Sequence, residues 1–129
     1  EGVEMSAALA IQTAIYQRLG TVGYPVYDAV PQETPYPYIT IGDDTLDEWD
    51  TDTETGFEAT LTLHTWSTAD GRAEIKTMQG AIYDLLHYHN LSISGYNTIV
   101  LYQEFETSQL ESDGVTRHGI QRYRLTVRV

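Results

Sequence analysis

The stretch GFEATLTLHTWS, residues 56–67, alternates apolar and polar side chains at a period of two, which specifies a strand with one buried face. Phe57, Ala59, Leu61 and Leu63 point one way, and Glu58, Thr60, Thr62, His64 and Trp66 the other. Such a strand needs neighbours beside it and an apolar layer over one face. Upstream, Tyr38–Ile41 offers the first neighbour, with Ile39 and Ile41 opposed to Tyr38 and Thr40. Between the two lie Asp43, Asp44, Asp47, Glu48, Asp50, Asp52 and Glu54, with no basic residue among them. The pattern predicts a long acidic β-hairpin that reaches beyond the sheet and ends in a charged, mobile tip. The alternation of DTDTET would give that tip one carboxylate-bearing face.

The chain's end completes the sheet. In GIQRYRLTVRV, residues 119–129, Tyr123, Leu125, Val127 and Val129 face inward, while Ile120, Arg122, Arg124, Thr126 and Arg128 face outward. A strand over Thr98–Thr107 places Ile99, Leu101 and Phe105 on one face and Glu104 and Glu106 on the other, where they can pair with those arginines. PVYDAV, residues 25–30, reads as a short strand broken by Pro31 and the ETPYP segment. Ser112-Asp113-Gly114 marks a turn.

Two helices cover the sheet. Residues 5–19 carry Met5, Ala8, Leu9, Ile11, Ile15, Tyr16 and Leu19 on one broad face, interrupted by Gln12 and stopped by Gly20. Residues 71–89 carry a narrower stripe of Ile75, Met78, Ile82, Leu85, Leu86 and His89. Ser67 and Asp70 are its candidate caps, and Glu74 suits the first-turn dipole. The order is helix, three strands, helix, two strands. That predicts an α+β, two-layer fold: a mainly antiparallel sheet of about five strands, two helices on one face, and the acidic hairpin. The 129 residues, 1–129, form one domain.

Composition narrows the function. The chain carries a net charge of −12, so phosphate is repelled and sequence-specific nucleic-acid binding is disfavoured. Arg117, Arg122, Arg124 and Arg128 crowd the last thirteen positions. Acid in the middle and base at the end predict contact between oppositely charged surfaces, within one chain or between copies. Without cysteine there is no disulfide, thiolate metal site or thiol nucleophile. No apolar run is long enough to span a bilayer, and no secretory core segment is visible. The sequence opens on Glu1, with Met5 an expected internal start.

One corner, LTLHTWSTADGRAEIKTMQGAIYDLL, holds a histidine, a tryptophan and an Asp-Gly-Arg turn. Catalysis there would need a nucleophile beside a base, or paired carboxylates in a cleft. Ser67 sits in a capping position with no nucleophile elbow around it, so the corner reads as a strand-to-helix joint. No catalytic or cofactor-binding residue is assigned. An exposed Trp66 suits a protein contact instead. His87 and His89 diverge on a helix, and only folding could bring His64, His89 and His118 together, so no metal site is assigned either. Asp50, Asp52 and Glu54 alternate as in a calcium loop, but Gly56 comes one position late and Leu61 stands where the bidentate glutamate belongs. Trp49 at the base of the acidic run predicts that the arm docks on another surface.

Three segments, VYDAVPQETPYPYITIGDD, LTLHTWSTADGRAEIKTMQGAIYDLLH and TRHGIQRYRLTV, resemble the tail-completion, or tail-terminator, proteins of long-tailed phages and gene transfer agents. Trp66, Ser67, Gly71 and Arg72 at the strand-to-helix joint and the Arg117-His118-Gly119 turn carry most of the likeness. The resemblance implies a virion protein forming a ring of six copies at the head-proximal end of a tail tube. Such a ring would stop tube growth, join tail to head connector and let DNA pass without binding it. Its partners would then be itself, the tail tube protein and the connector or stopper protein. Asp47, Glu48, Trp49, Asp50, Asp52, Glu54, Trp66, Arg72, Arg122, Arg124 and Arg128 are the candidate interface residues. A head-side stopper adaptor is the alternative within the same class, a small calcium-binding module a different one, and an enzyme the last.

Overall fold

A computed structural model describes residues 6–129; the expected helical position of Met5 lies outside them. The first helix, α1, runs Ala7–Arg18. Ser6 caps it, its hydroxyl accepting from the Leu9 amide at 3.2 Å. A 3-10 turn, Leu19–Thr21, follows, and Gly23 takes a φ of 93° that favours glycine. Six strands and the second helix come next in the order β1 (Val26–Tyr27), β2 (Tyr38–Glu48), β3 (Gly56–Ser67), then α2 (Ala73–Leu86), β4 (Ser92–Ile93), β5 (Tyr96–Leu110) and β6 (Arg117–Arg128).

The strands form one sheet with spatial order β1-β2-β3-β6-β5-β4. The class is the expected α+β, with two corrections. The sheet has six strands rather than five, and it is mixed, because β1 runs parallel to β2. The added strand is β4, whose two residues are too few for any periodicity to announce, whereas the equally short β1 falls inside the 25–30 stretch read as a strand. The central partners are β3 and β6, paired without interruption from Gly56↔Arg128 to Ser67↔Arg117.

Alternation on β3 is as read: Ala59, Leu61 and Leu63 are buried, continuing through Thr65 and Ser67. Alternation on β5 is not. Bulges at Ile99 and Glu104 each add one residue and invert the facing of the residues beyond them. Leu101 is buried opposite Leu125, but Ile99 stays 50% exposed and Phe105, opposite Arg122, 48% exposed. Val129 is likewise 70% exposed rather than inward. The helix predicted over 71–89 is shorter at both ends, so His89 leaves the apolar stripe and lies exposed beyond it.

Both helices lie on the inner face. Ile11, Ile15 and Leu19 of the first helix and its following turn, with Met78, Ile82 and Leu86 of the second, close over Ile39, Leu61, Leu63, Leu101, Leu125 and Val127. Each such side chain, fully buried, contributes about 1.5–3 kcal/mol. Arg18 stitches the helices together by donating from Nε to the Leu85 carbonyl at 2.7 Å. A polar seam runs under α2 as well. Gln121 donates to the Gln79 carbonyl at 3.0 Å and to Gln103 Oε1 at 2.8 Å, and the Tyr123 hydroxyl donates to the same oxygen at 2.9 Å. Burial pushes the Tyr123 phenol well above its ordinary range, so it stays a neutral donor.

Candidate functional site

Among the described residues no helix covers the outer face of the sheet, which gathers the charges. Arg122 and Arg124 reach across to Glu104, with Nε–O distances of 2.9 and 2.7 Å. Arg124 also meets Glu58 at 3.2 Å. The bulge at Glu104 turns its carboxylate toward both arginines, while Glu106 falls opposite Gln121 and bonds Gln103 instead. Hydrogen bonds from Arg124 and then Arg122 hold the Glu104 carboxyl below its usual range.

The acidic hairpin differs from its sequence reading. It does not project beyond the sheet, since β3 stays paired with β6 along its whole length. Asp43, Asp44, Asp47 and Glu48 belong to β2 itself. Only residues 49–55 form the turn, which is not an extended, one-faced segment. The Thr51 amide donates to the Glu54 carbonyl, the Gly56 amide donates to Asp50 Oδ1, and Trp49 and Gly56 close the end. Arg128 pins this tip, pairing with Glu54 and laying its guanidinium 4.4 Å from the Trp49 ring centre. The arm therefore docks, as Trp49 suggested, but on the end of its own final strand. No group of three histidine or carboxylate side chains converges on a cation position among the described residues.

At the opposite end of the sheet lies the corner. Trp66 is half-buried rather than exposed: it stacks on His118, 3.9 Å between ring centres and 9° between planes, and donates from Nε1 to Thr40 Oγ1 at 3.1 Å. His64 Nδ1 and His118 Nε2 are 2.7 Å apart, so one ring donates and the other accepts. Gly42 makes room for this pair, because a Cβ there would sit 2.5 Å from His64 Nε2. Burial, and then the His118 charge, lowers the His64 pKa against the pull of Asp43. Burial lowers His118 against Glu111, whose Oε2 stands 3.7 Å away. His89 is not part of the cluster; its Nδ1 faces Arg18 at 3.2 Å. Ser67 caps nothing on α2 but donates to Glu74 Oε1 at 2.6 Å and accepts from the Ala69 amide.

Register brings the two most recognisable stretches side by side. Ser67 opposes Arg117, Trp66 opposes His118 and Thr65 opposes Gly119. Arg117-His118-Gly119 is thus the start of β6, not a turn. The fold also builds a cavity of about 140 Å³ here, lined by Arg72, Ile75, Ser108, Gln109, Leu110 and Arg117. Arg117 was absent from the expected interface, because nothing in the sequence shows it facing Arg72 across a strand-to-helix joint. Of the expected residues, the structure groups Trp49, Glu54 and Arg128 at one end, Arg122 and Arg124 mid-sheet, and Trp66 and Arg72 at the other end.

The profile of the family "Tail completion protein gp17" matches residues 3–128. The chain belongs to that family. Among its relatives, the tail completion protein gp17 of Bacillus phage SPP1 is 29% identical over 112 residues, 87% of this chain and 83% of that protein. Solved structures agree on the fold. A chain in the virion of a native gene transfer agent particle superposes with a TM-score of 0.86, at 23% identity over 98% of this chain and all of that one. The SPP1 gp17 structure gives 0.61 at 24% identity, covering 98% of this chain and 96% of its own. As a member of that family it is a structural tail protein.

Proposed function

We propose that this tail completion protein forms a ring of six copies on the head-proximal end of a phage-like tail tube. There it stops tube growth and presents the surface that joins the head connector. The family match across residues 3–128 carries the reading. The site is compatible with it: buried chemistry is spent on packing, the histidine pair is tied up with Trp66, and charge lies at the two ends of the sheet. A ring must present two different patches that meet on neighbouring copies, and opposite ends of one sheet provide them. Six copies at −12 each bring −72, a charge that lets a duplex slide through without adhering.

Cryo-microscopy of isolated tails tests this directly. A six-fold layer of this chain capping the tube, next to the connector, is the expected image. Density on tail-less heads and none on isolated tails would reassign the chain to the head-side stopper position.

A further inference from the structure

Only seven lysines and arginines serve nineteen carboxylates, so where each cation goes is informative. Arg122, Arg124 and Arg128 are engaged by Glu104, Glu58 and Glu54. Arg18 is held by the Leu85 carbonyl and His89. Arg72, Lys76 and Arg117 make no ion pair among the described residues. All three sit at one end of the molecule, and Arg72 and Arg117 line the 140 Å³ cavity with Ser108 and Gln109. Two guanidinium groups from different elements, beside an amide and a hydroxyl, form a donor set for a carboxylate. Of the described acids nearby, Glu74 accepts from Ser67, Glu111 accepts from Gln109 and faces His118, and Asp113 accepts from the Thr116 and Val115 amides; Asp70, two residues before Arg72, is exposed and does not line the cavity.

The reverse holds at the far end, where Asp47 and Glu48 are exposed and unbridged; with Asp43 and Asp44 of mid-strand they follow an edge of β2 that β1 covers only at Ile39 and Thr40. The length of β3, at about 3.3 Å per residue, separates the two ends by roughly 35 Å. Asp47 and Glu48 therefore cannot reach the cavity of their own copy.

We infer that the Arg72–Arg117 cavity receives a carboxylate of the β2 edge, Asp47 or Glu48, from a second copy of this chain, joining copies head to tail. This rests on the ring reading and supplies its interface. Apolar side chains accompany the charges on both sides: Leu46 and Trp49 are exposed beside the acids, and Leu110 and Val115 beside the bases. The two patches are different and lie at opposite ends, which is what a closing heterologous contact uses. The competing geometry, β2 edge against β5 edge, sets Asp43, Asp44, Asp47 and Glu48 against Glu104 and Glu106, acid on acid.

Charge swaps in assembled particles test the contact. Asp47→Lys with Glu48→Lys reverses the edge; Arg72→Glu with Arg117→Glu reverses the cavity. Each pair alone should lower incorporation into tails at least about tenfold while leaving the melting temperature near wild type. Mixing the two variants, or uniting all four substitutions in one chain, should restore it, since reversed edge again meets reversed cavity. The cysteine-free sequence allows a second readout. Particles carrying Glu48→Cys plus Gln109→Cys should oxidise to a ladder of linked copies, and neither single variant should exceed a dimer. Wild-type incorporation of both reversal variants with no ladder overturns the interface while leaving a multi-copy ring standing. One copy per wild-type particle overturns the ring reading and the interface with it. If the cavity variant still self-associates but particles leak DNA, the cavity's ligand is phosphate and the inference fails.

Discussion

The outer face of the final strand and the joint where that strand begins beside the foot of α2 both carry arginines, yet they use them in different ways. On β6, Arg122, Arg124 and Arg128 are tied to Glu104, Glu58 and Glu54 of the same chain. At the other end, Arg72 and Arg117 line one cavity and make no ion pair among the described residues. Satisfied charge is closed within the subunit; unsatisfied charge is left for another molecule. In water an exposed pair is worth little, so the first set cannot be what holds the fold. That role falls to the inner face.

The contrast is sharpened by substitutions taken from the largest effect down. Leu125→Ala, at a fully buried position between Leu101 and Ala59, should cost about 2–5 kcal/mol in denaturant unfolding. Gly119→Ala comes next: its Cβ would collide with Thr65 Oγ1 and stand 2.6 Å from Gln79 Nε2, a loss of about 1–3 kcal/mol by the same measurement. Glu104→Gln should lose under about 1 kcal/mol, and the loss should shrink in molar salt. Arg117→Ala, lacking a partner, should change stability by no more than about 0.5 kcal/mol. A larger loss at Arg117 than at Glu104 would break the distinction between the two regions.

Acidity offers an independent check on the corner. His64 and His118 have lowered pKa values in the folded chain, so below the ordinary value of 6.5 the unfolded chain binds more protons than the native one. Stability should therefore fall as pH drops below 6.5 and level off once the native rings also protonate. The Glu104 contribution stays intact through that window and is lost only as pH falls from 4.5 toward its lowered native value. Thermal melts between pH 7 and 5 should show the slope in wild type and a smaller one in His64→Gln. A slope unchanged by that substitution would place the titration elsewhere.

Much of the fold was legible because period-two alternation on β3 and β6 is uninterrupted, and each such strand has one buried face. The β5 reading failed where bulges at Ile99 and Glu104 shift the period, which an alternation count cannot anticipate. The two-residue β4 left no pattern at all. At the site, the acidic run and the basic terminus were visible as opposites, but not that Arg128 would close on Glu54 and Trp49 in the same chain. The Arg72–Arg117 cavity depends on the Ser67↔Arg117 register, a pairing across 50 residues that composition does not encode. The strand-to-helix joint falls where it was read, between β3 and α2, but the histidine stacked on Trp66 comes from β6, out of sight of any local motif.

The role proposed for this subunit is to end tails by closing on its own copies. Electron micrographs of particles assembled without the chain test it most directly. The account predicts tubes of irregular, extended length that fail to couple to filled heads. Tails of uniform wild-type length, joined to DNA-filled heads, would contradict it.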